Sequence, residues 1–384
     1  MEKILTISVA AYNAAPTLGE TLSSMCLDAH YMEKLEVIVT DDGSGDDTPQ
    51  IAQEFMEKHP DTFRLISQEN RGYGSSLENA LARGRGLYFK VVDGDDKVDP
   101  RGLESLLDRI AGFAEAEDLP DLIVTPFFTW RSRRDPGHGD RSSEVFAGDR
   151  IENHPGLSSV PGPLENADLS RGLSIFEITC RRDLLLDAHP NFLHHCLYVD
   201  NELVMAVLLS SRTLCRLDRP VTVYRTDRPG QSMSRAVVGT RFEDIIRVCD
   251  RVFSMFTEKE KESSRAEAAG ASCTGVLARA SLTGGRREAA ELLVSSMARL
   301  AWLSGLLSPH PLQSRSTLRE WDRALRMESP ELFQVTQRSR IASAGRRADP
   351  LGFLVMSASF KIKNRISRPG QVVYFAKKNT ARTE

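Results

Sequence analysis

The chain lacks several features that would assign it quickly, and each absence removes a class of function. Its six cysteines (Cys26, Cys180, Cys196, Cys215, Cys249, Cys273) include no CxxC pair, which argues against a zinc knuckle or a redox dithiol. His194-His195-Cys196 is the one dense group of soft ligands, and adjacent residues do not converge on a metal without help from elsewhere. No apolar run reaches the roughly 18 residues of a membrane span. Met1–Thr6 leads straight into a strand-like segment without the apolar stretch of a signal peptide, so the expected location is the cytoplasm. A dinucleotide-dependent oxidoreductase would place G-x-G-x-x-G after its first strand, where this chain has Ala10-Ala11-Tyr12-Asn13-Ala14-Ala15.

Net charge is small as well, −3 over 384 residues, but it is unevenly spread. Arg338 to Glu384 carries 11 Lys or Arg against two acids, a net +9 that leaves −12 for the rest. With Leu351–Met356 and Phe360, such a tail suits peripheral contact with an anionic membrane face. The acidic main body, without a groove-reading motif, argues against nucleic acid as a partner. A composition of 41% hydrophobic and 27% charged residues is that of a folded soluble protein of two or three units.

Over the first 130 residues, short β-branched runs alternate with amphipathic stretches, the pattern of a mostly parallel α/β sheet flanked by helices. Strands are expected at 4–10, 35–40, 63–67, 87–92 and 122–125, apolar nearly throughout because both faces are covered. Thr48-Pro49 and Asp99-Pro100 read as helix starts, with Thr48 and Asp99 as caps. Residues 131–170 are polar and rich in Gly and Pro, which predicts a mobile surface loop. Order is expected to resume at 173–179, then a short helix from Arg182, a helix over 201–210 and closing strands at 213–217 and 221–225. Beyond Arg241 the apolar spacing is helical.

In an open α/β sheet, ligands bind beyond the carboxyl ends of the strands. There this chain is acidic twice, with Asp41-Asp42-Gly43-Ser44 after the second strand and Asp93-Gly94-Asp95-Asp96 after the fourth. Asx turns and helix caps account for Asp46 and Asp99, but for only one carboxylate of the 93–96 group. Five aspartates at one edge repel unless a cation or a donor-rich ligand compensates them, and Mg2+ or Mn2+ suits that role.

These stretches, with Ile7–Asn13, Val37–Ser44, Asn70-Arg71-Gly72-Tyr73-Gly74, Asn79 and Pro100, resemble the family 2 glycosyltransferases, enzymes of the GT-A fold. The resemblance covers about 1–235 and is clearest before residue 130. One departure is Ala10, where the family commonly has proline. It implies a GT-A nucleotide-sugar domain over 1–235 and leaves the rest unassigned, which apolar spacing and charge divide into a helical region over 236–337 and the basic tail over 338–384. It further implies that Ala11, Tyr12 and Asp42, with Asp41 beside them, line a base pocket, and that Asn70 and Gly72 pass near the donor. Asp93 and Asp95 would hold the metal, with Asp96 completing the acidic motif. For Gly72, a plain turn before a helix is the competing reading.

Glycosyl transfer also needs a base for the acceptor hydroxyl. Asp200, opening the helix after Leu197-Tyr198-Val199, resembles the family's second acidic motif, and Glu202 is the alternative, since many members place Glu-Asp together where this chain has Asp200-Asn201-Glu202. A helix-cap role for Asp200 is compatible with catalysis. In the loop Tyr224–Ser234, Arg225, Arg228 and Gln231 are expected to reach the donor diphosphate. The expected activity is inverting, metal-dependent transfer from a UDP-type nucleotide sugar to a saccharide or lipid-linked saccharide, in bacterial surface polysaccharide or glycolipid synthesis. A catalytically silent nucleotide-sugar binding or scaffold protein is the competing class.

Overall fold

The computed structural model describes residues 2–131, 149–151, 157–170, 172–188, 190–226, 232, 235–268, 283–307, 311–328, 330, 333, 334 and 336. Its first part runs β1 (Leu5–Ala11), α1 (Ala15–Ser23), α2 (Ala29–Met32), β2 (Leu35–Asp41), α3 (Thr48–Lys58), β3 (Phe63–Ser67), α4 (Tyr73–Arg83), β4 (Tyr88–Val91), β5 (Lys97–Val98), α5 (Pro100–Glu115), β6 (Leu122–Val124) and β7 (Phe127–Arg131). There follow β8 (Asp149–Ile151), β9 (Gly162–Pro163), β10 (Ile178–Arg181), α6 (Arg182–Asp187), α7 (Asp200–Ser210), β11 (Thr213–Arg216) and β12 (Thr222–Thr226). Among the described residues these are followed by helices α8 (Arg235–Thr240), α9 (Phe242–Ala268), α10 (Gly284–Leu307) and α11 (Pro311–Glu328).

Among the described residues eight strands form the principal sheet, in the order β3-β2-β1-β4-β10-β6-β11-β9. β3, β2, β1 and β4 are parallel, and β10 is antiparallel to both β4 and β6. A smaller sheet has the order β5-β12-β7-β8. β2 and β4 are buried at every position because both faces of the sheet are covered there. Val37 and Val39 enter a core with Leu18 and Leu22 of α1 and Leu103 and Leu106 of α5. Ile38 and Phe89 enter the opposite core, shared with Leu203 and Val204 of α7, Ile245 and Val252 of α9, and Met297 of α10. The late helices are thus packed onto the layer that covers one face of the sheet.

Helix starts follow local chemistry, with one exchange of roles. Asp99 caps α5 as expected, accepting the N–H of Arg101 (3.1 Å) and Gly102 (3.3 Å). Thr48 does not cap α3. It is already helical, and Asp46 takes its N–H (3.0 Å) in an Asx turn. Thr48 Oγ1 instead accepts the N–H of Ala14 (2.8 Å) and so ties α3 to the start of α1.

The segment expected as a loop at 131–170 contributes strands where it is described: β8 pairs with β7, and β9 with β11. Residues 132–148 and 152–156, like the basic tail 338–384, lie outside the described residues. The stretch expected at 173–179 becomes a strand only at Ile178. Before it Glu177 Oε2 accepts the N–H (2.9 Å) and hydroxyl (3.0 Å) of Ser174, folding the chain into a turn. Beneath that turn the buried Lys90 of β4 donates from Nζ to the carbonyl of Phe176 (3.0 Å).

Candidate active site

β1 lies between β2 and β4, so its carboxyl end touches both acidic turns. Asp42 N–H donates to Ala11 O (2.9 Å), Val92 N–H to Ser8 O (3.0 Å) and Gly94 N–H to Ala10 O (3.3 Å). Two adjoining cavities open there, of about 650 and 350 Å³, and Ala10, Tyr12, Tyr73 and Leu197 line both.

The smaller cavity is lined by Ala11, Asp42, Asn70 and Gly72, together with His195, Arg241 and Asp244 from later in the chain. Asp42 organises its floor: Oδ1 accepts Gln68 Nε2 (2.7 Å) and Arg71 N–H (2.8 Å), and Oδ2 accepts Gly72 N–H (2.8 Å). Gly72 has φ +87°, and a Cβ there would stand 2.5 Å from the backbone nitrogen of His195. The turn and the close approach therefore both require glycine. Tyr12 is 55% exposed, a large ring offered to the solvent of both cavities. Asp41 lies on neither wall; its Oδ1 accepts Ser44 N–H (3.1 Å) and shapes the turn, contrary to the expectation that it flanks the base pocket.

Asp93 and Asp95 line the larger cavity, and carboxylate oxygens of Asp93, Asp95 and Asp96 fall within 4.8 Å of one another. Tyr73 donates its hydroxyl to Asp93 Oδ1 (2.9 Å). Asp96 is fully buried behind them; Oδ1 accepts Arg225 N–H (2.8 Å), while Oδ2 has no hydrogen-bond partner. Burial, then the charge of Asp93, drives the Asp96 carboxyl well above the usual range. Among the described residues lining this cavity there is no Lys or Arg. An all-oxygen donor set with an orphaned carboxylate oxygen fits a hard divalent cation.

Asp200 is the first residue of α7 and lines the same cavity, half-buried. It does not cap the helix by its side chain; Oδ1 accepts Asn201 Nδ2 (3.2 Å). Burial first, then the nearby Asp93 charge, pushes its pKa up to about 7. Glu202, the alternative base, points elsewhere. Its buried Oε2 accepts Leu193 N–H (3.3 Å) and lies 3.8 Å from Arg251 Nε, and it lines neither cavity. One helical step of about 100° per residue turns position 202 to the far side of α7 from position 200.

Arg225 is also turned away from the site. Its guanidinium lies 4.4 Å from the centre of the Trp130 ring and Nη2 donates to Glu20 Oε2 (2.6 Å), while its backbone N–H donates to Asp96 of the acidic group. β12 alternates its side chains between faces, and Arg225 falls on the Trp130 face. Arg228 and Gln231 lie outside the described residues. Sequence reasoning missed Tyr198, Phe176 and Tyr224, which join this wall. Tyr198 adopts φ +68° and donates its hydroxyl to Ser232 O (2.7 Å), and Phe176 stacks on Tyr224 at 4.3 Å. It also missed α10, which lines the cavity with Leu293, Ser296, Met297 and Leu300. Only Tyr73 and Tyr198 carried a signal, as neighbours of Gly72 and Asp200.

Comparison with known proteins bears on the family and the fold. Residues 6–116 match the family model described as "Glycosyl transferase family 2". The chain is 33% identical over 123 residues to "Putative glycosyltransferase EpsH" of Bacillus subtilis (strain 168), covering 31% of this chain and 32% of the relative. It is 37% identical over 106 residues to "Chondroitin synthase" of Escherichia coli, covering 28% and 15%. The chain thus matches about a third of the first relative's length and less of the second. Its fold resembles that of S. aureus TarS 1–349, solved in complex with UDP-GlcNAc, with TM-score 0.51 and 16% identity over 90% of this chain and 93% of that one. The architecture is the GT-A fold, a mainly parallel sheet with flanking helices and a helical C-terminal region.

Proposed function

We propose that this chain, a member of glycosyl transferase family 2 through its residues 6–116, moves a glycosyl group from a nucleotide diphosphate-sugar to an acceptor hydroxyl with inversion. The observation that carries the reading is that Asp93, Asp95 and Asp200, from stretches a hundred residues apart, face one cavity that adjoins the Asp42 pocket.

In this reading the nucleotide enters the smaller cavity. Tyr12 offers its ring to the base, and the Asp42 carboxylate, held rigid by two backbone N–H groups, presents its remaining lone pairs. The N3–H of a uracil ring suits this carboxylate acceptor, which supports a UDP-linked donor, and the N–H groups of guanine would meet it as well. Asn70 and Gly72 bring the chain close to the ribose side. Asp93 and Asp95, backed by Asp96, would hold Mg2+ or Mn2+. Such an ion supplies Lewis-acid stabilisation of the departing diphosphate. Arg228 and Gln231 of the following loop remain proposed diphosphate contacts.

Asp200 acts as the base. The acceptor oxygen forms its bond to the anomeric carbon as the bond to the diphosphate breaks, and the hydroxyl proton passes to Asp200. A single displacement inverts the carbon, and one base suffices. A pKa near 7 suits a base that must be ionised before reaction yet accept a proton during it. Glu202 is left as a strut between α7 and α9.

The described C-terminal helices, assigned to a helical region over 236–337, share a core with the sheet, and the biological role is bacterial surface polysaccharide or glycolipid synthesis from the cytoplasm. Among the described residues no helix is long and apolar enough to cross a membrane. The basic tail, by its charge, is the proposed peripheral contact. The test is incubation of the full chain with a panel of UDP- and GDP-sugars and Mn2+, reading release of nucleoside diphosphate. Release that EDTA abolishes supports the reading. Nucleotide binding without hydrolysis or transfer to any acceptor would favour a silent binding protein.

A further inference from the structure

The smaller cavity is completed by residues that lie beyond the family-matched segment 6–116. The chain between α6 and α7 crosses its rim, where His195 N–H donates to Arg71 O (2.9 Å) and seats this stretch on the Gly72 turn. On its other side the same stretch is fastened to α9. Cys196 Sγ donates to Asp244 O (3.5 Å), Arg247 Nη2 to His194 O (3.4 Å) and Arg251 Nη2 to Asn191 O (3.2 Å). Arg241 stands at the junction of α8 and α9, where its N–H donates to Val237 O (3.0 Å) and its carbonyl accepts Ile245 N–H (3.1 Å). Arg241 and Asp244, three positions apart, both reach the cavity wall.

Among the described residues lining this cavity Arg241 is the one Lys or Arg. Its side chain is 54% exposed and has room to meet a ligand. That of Asp244 is 13% exposed, and its Oδ2 has no hydrogen-bond partner and lies 3.6 Å from Arg241 Nη1. Such a carboxylate holds the guanidinium at the wall by charge, without a hydrogen bond that takes up its N–H groups. The cavity thereby sets a fixed acceptor, Asp42, and a charged donor, Arg241, around one space. Uracil and guanine carry the complement on one edge, a ring N–H beside a carbonyl, whereas cytosine and adenine carry a bare ring nitrogen beside an amino group. We infer that Arg241 is a specificity-determining residue, which donates to the base carbonyl next to the ring N–H that Asp42 accepts, with Asp244 as its positioning residue, so that the site selects keto over amino nucleoside diphosphates. This assignment rests on the reading of the cavity as the nucleotide pocket. A diphosphate contact is the other use for an arginine, but Asp93 and Asp95, proposed to hold the cation beside the diphosphate, line the larger cavity, and Arg241 and Asp244 line only the smaller one.

The test is calorimetric titration of the full chain, with Mn2+ present, by UDP, CDP, GDP and ADP. Wild-type protein should favour UDP over CDP, or GDP over ADP, by about tenfold or more. Arg241→Ala should lower that preference about tenfold, the worth of one hydrogen bond to a charged group. Arg241→Gln, whose amide can donate or accept, should lower it too. Both substitutions remove only an exposed ion pair, so melting temperatures should stay at the wild-type value. A ratio of affinities is also insensitive to general damage, which weakens both members of a pair alike. Asp244→Asn should lower the preference about threefold in the wild-type chain and leave it unchanged in Arg241→Ala. Equal weakening of UDP and CDP by Arg241→Ala, the mark of a phosphate contact, overturns the inference, and so does an unchanged preference or a wild-type protein that has none. An effect of Asp244→Asn that persists in Arg241→Ala overturns the positioning role of Asp244. Wild-type protein that binds none of the four diphosphates defeats the nucleotide reading itself.

Discussion

Asp200→Asn separates chemistry from stability at one atom pair, because the amide keeps the shape of the side chain and cannot take a proton. Loss of a positioned base lowers kcat by about 10²–10⁴-fold. UDP affinity is unchanged, because Asp200 does not line the nucleotide cavity. The sign for stability is opposite. The Asp200 pKa is raised from 3.8 to about 7, so the folded protein holds a proton that the unfolded chain releases between those values. Its contribution therefore falls as pH rises through this window, and the cost is full above about 7. Three units at about 1.4 kcal/mol each bound that cost near 4 kcal/mol. Asp200 is half-buried and lines a solvent-filled mouth, so about 1–2 kcal/mol is expected, a rise of a few degrees in Tm for the variant at pH 7.5. The assay is nucleoside diphosphate release at saturating donor, with scanning calorimetry of the metal-free protein at pH 4 and pH 7.5. The stability gain should vanish at pH 4. A variant that keeps more than about a tenth of wild-type kcat, where base loss predicts at least 10²-fold, refutes the assignment. One that is less stable at pH 7.5 refutes the electrostatic argument.

Gly72→Ala places a Cβ 2.5 Å from His195 N at φ +87°, and should cost about 1–3 kcal/mol in urea denaturation while weakening UDP binding. Lys90 is buried, and burial lowers its pKa to about 7. The unfolded chain therefore binds more protons between pH 7 and 10.5, and stability should rise with pH there by up to about 1.4 kcal/mol per unit from this residue. Lys90→Met should flatten that slope in denaturant titrations from pH 7 to 10, and an unchanged slope would contradict the burial argument.

How much of this was legible depends on whether the responsible force is local. β1, β2 and β4 announce themselves because strands covered on both faces are apolar at most successive positions, and the acidic turns follow because parallel strands end at one edge. Asp99 and its proline mark α5 through capping alone. Thr48 was misread because its hydroxyl is taken by Ala14, a partner 34 residues away. Arg225 was misread for the same kind of reason, since nothing near it in sequence reveals Trp130 or Glu20. The part α10 takes in lining the larger cavity was invisible because α10 reads as an ordinary buried helix.

The most direct test of the central claim, that separate acidic stretches build one nucleotide and cation site, is calorimetric titration of UDP into the full chain with Mn2+ and then with EDTA. The account predicts saturable binding with Mn2+, weakened at least tenfold by EDTA and by Asp95→Asn. UDP binding that is absent, or equally tight with and without the cation and in Asp95→Asn, would contradict it.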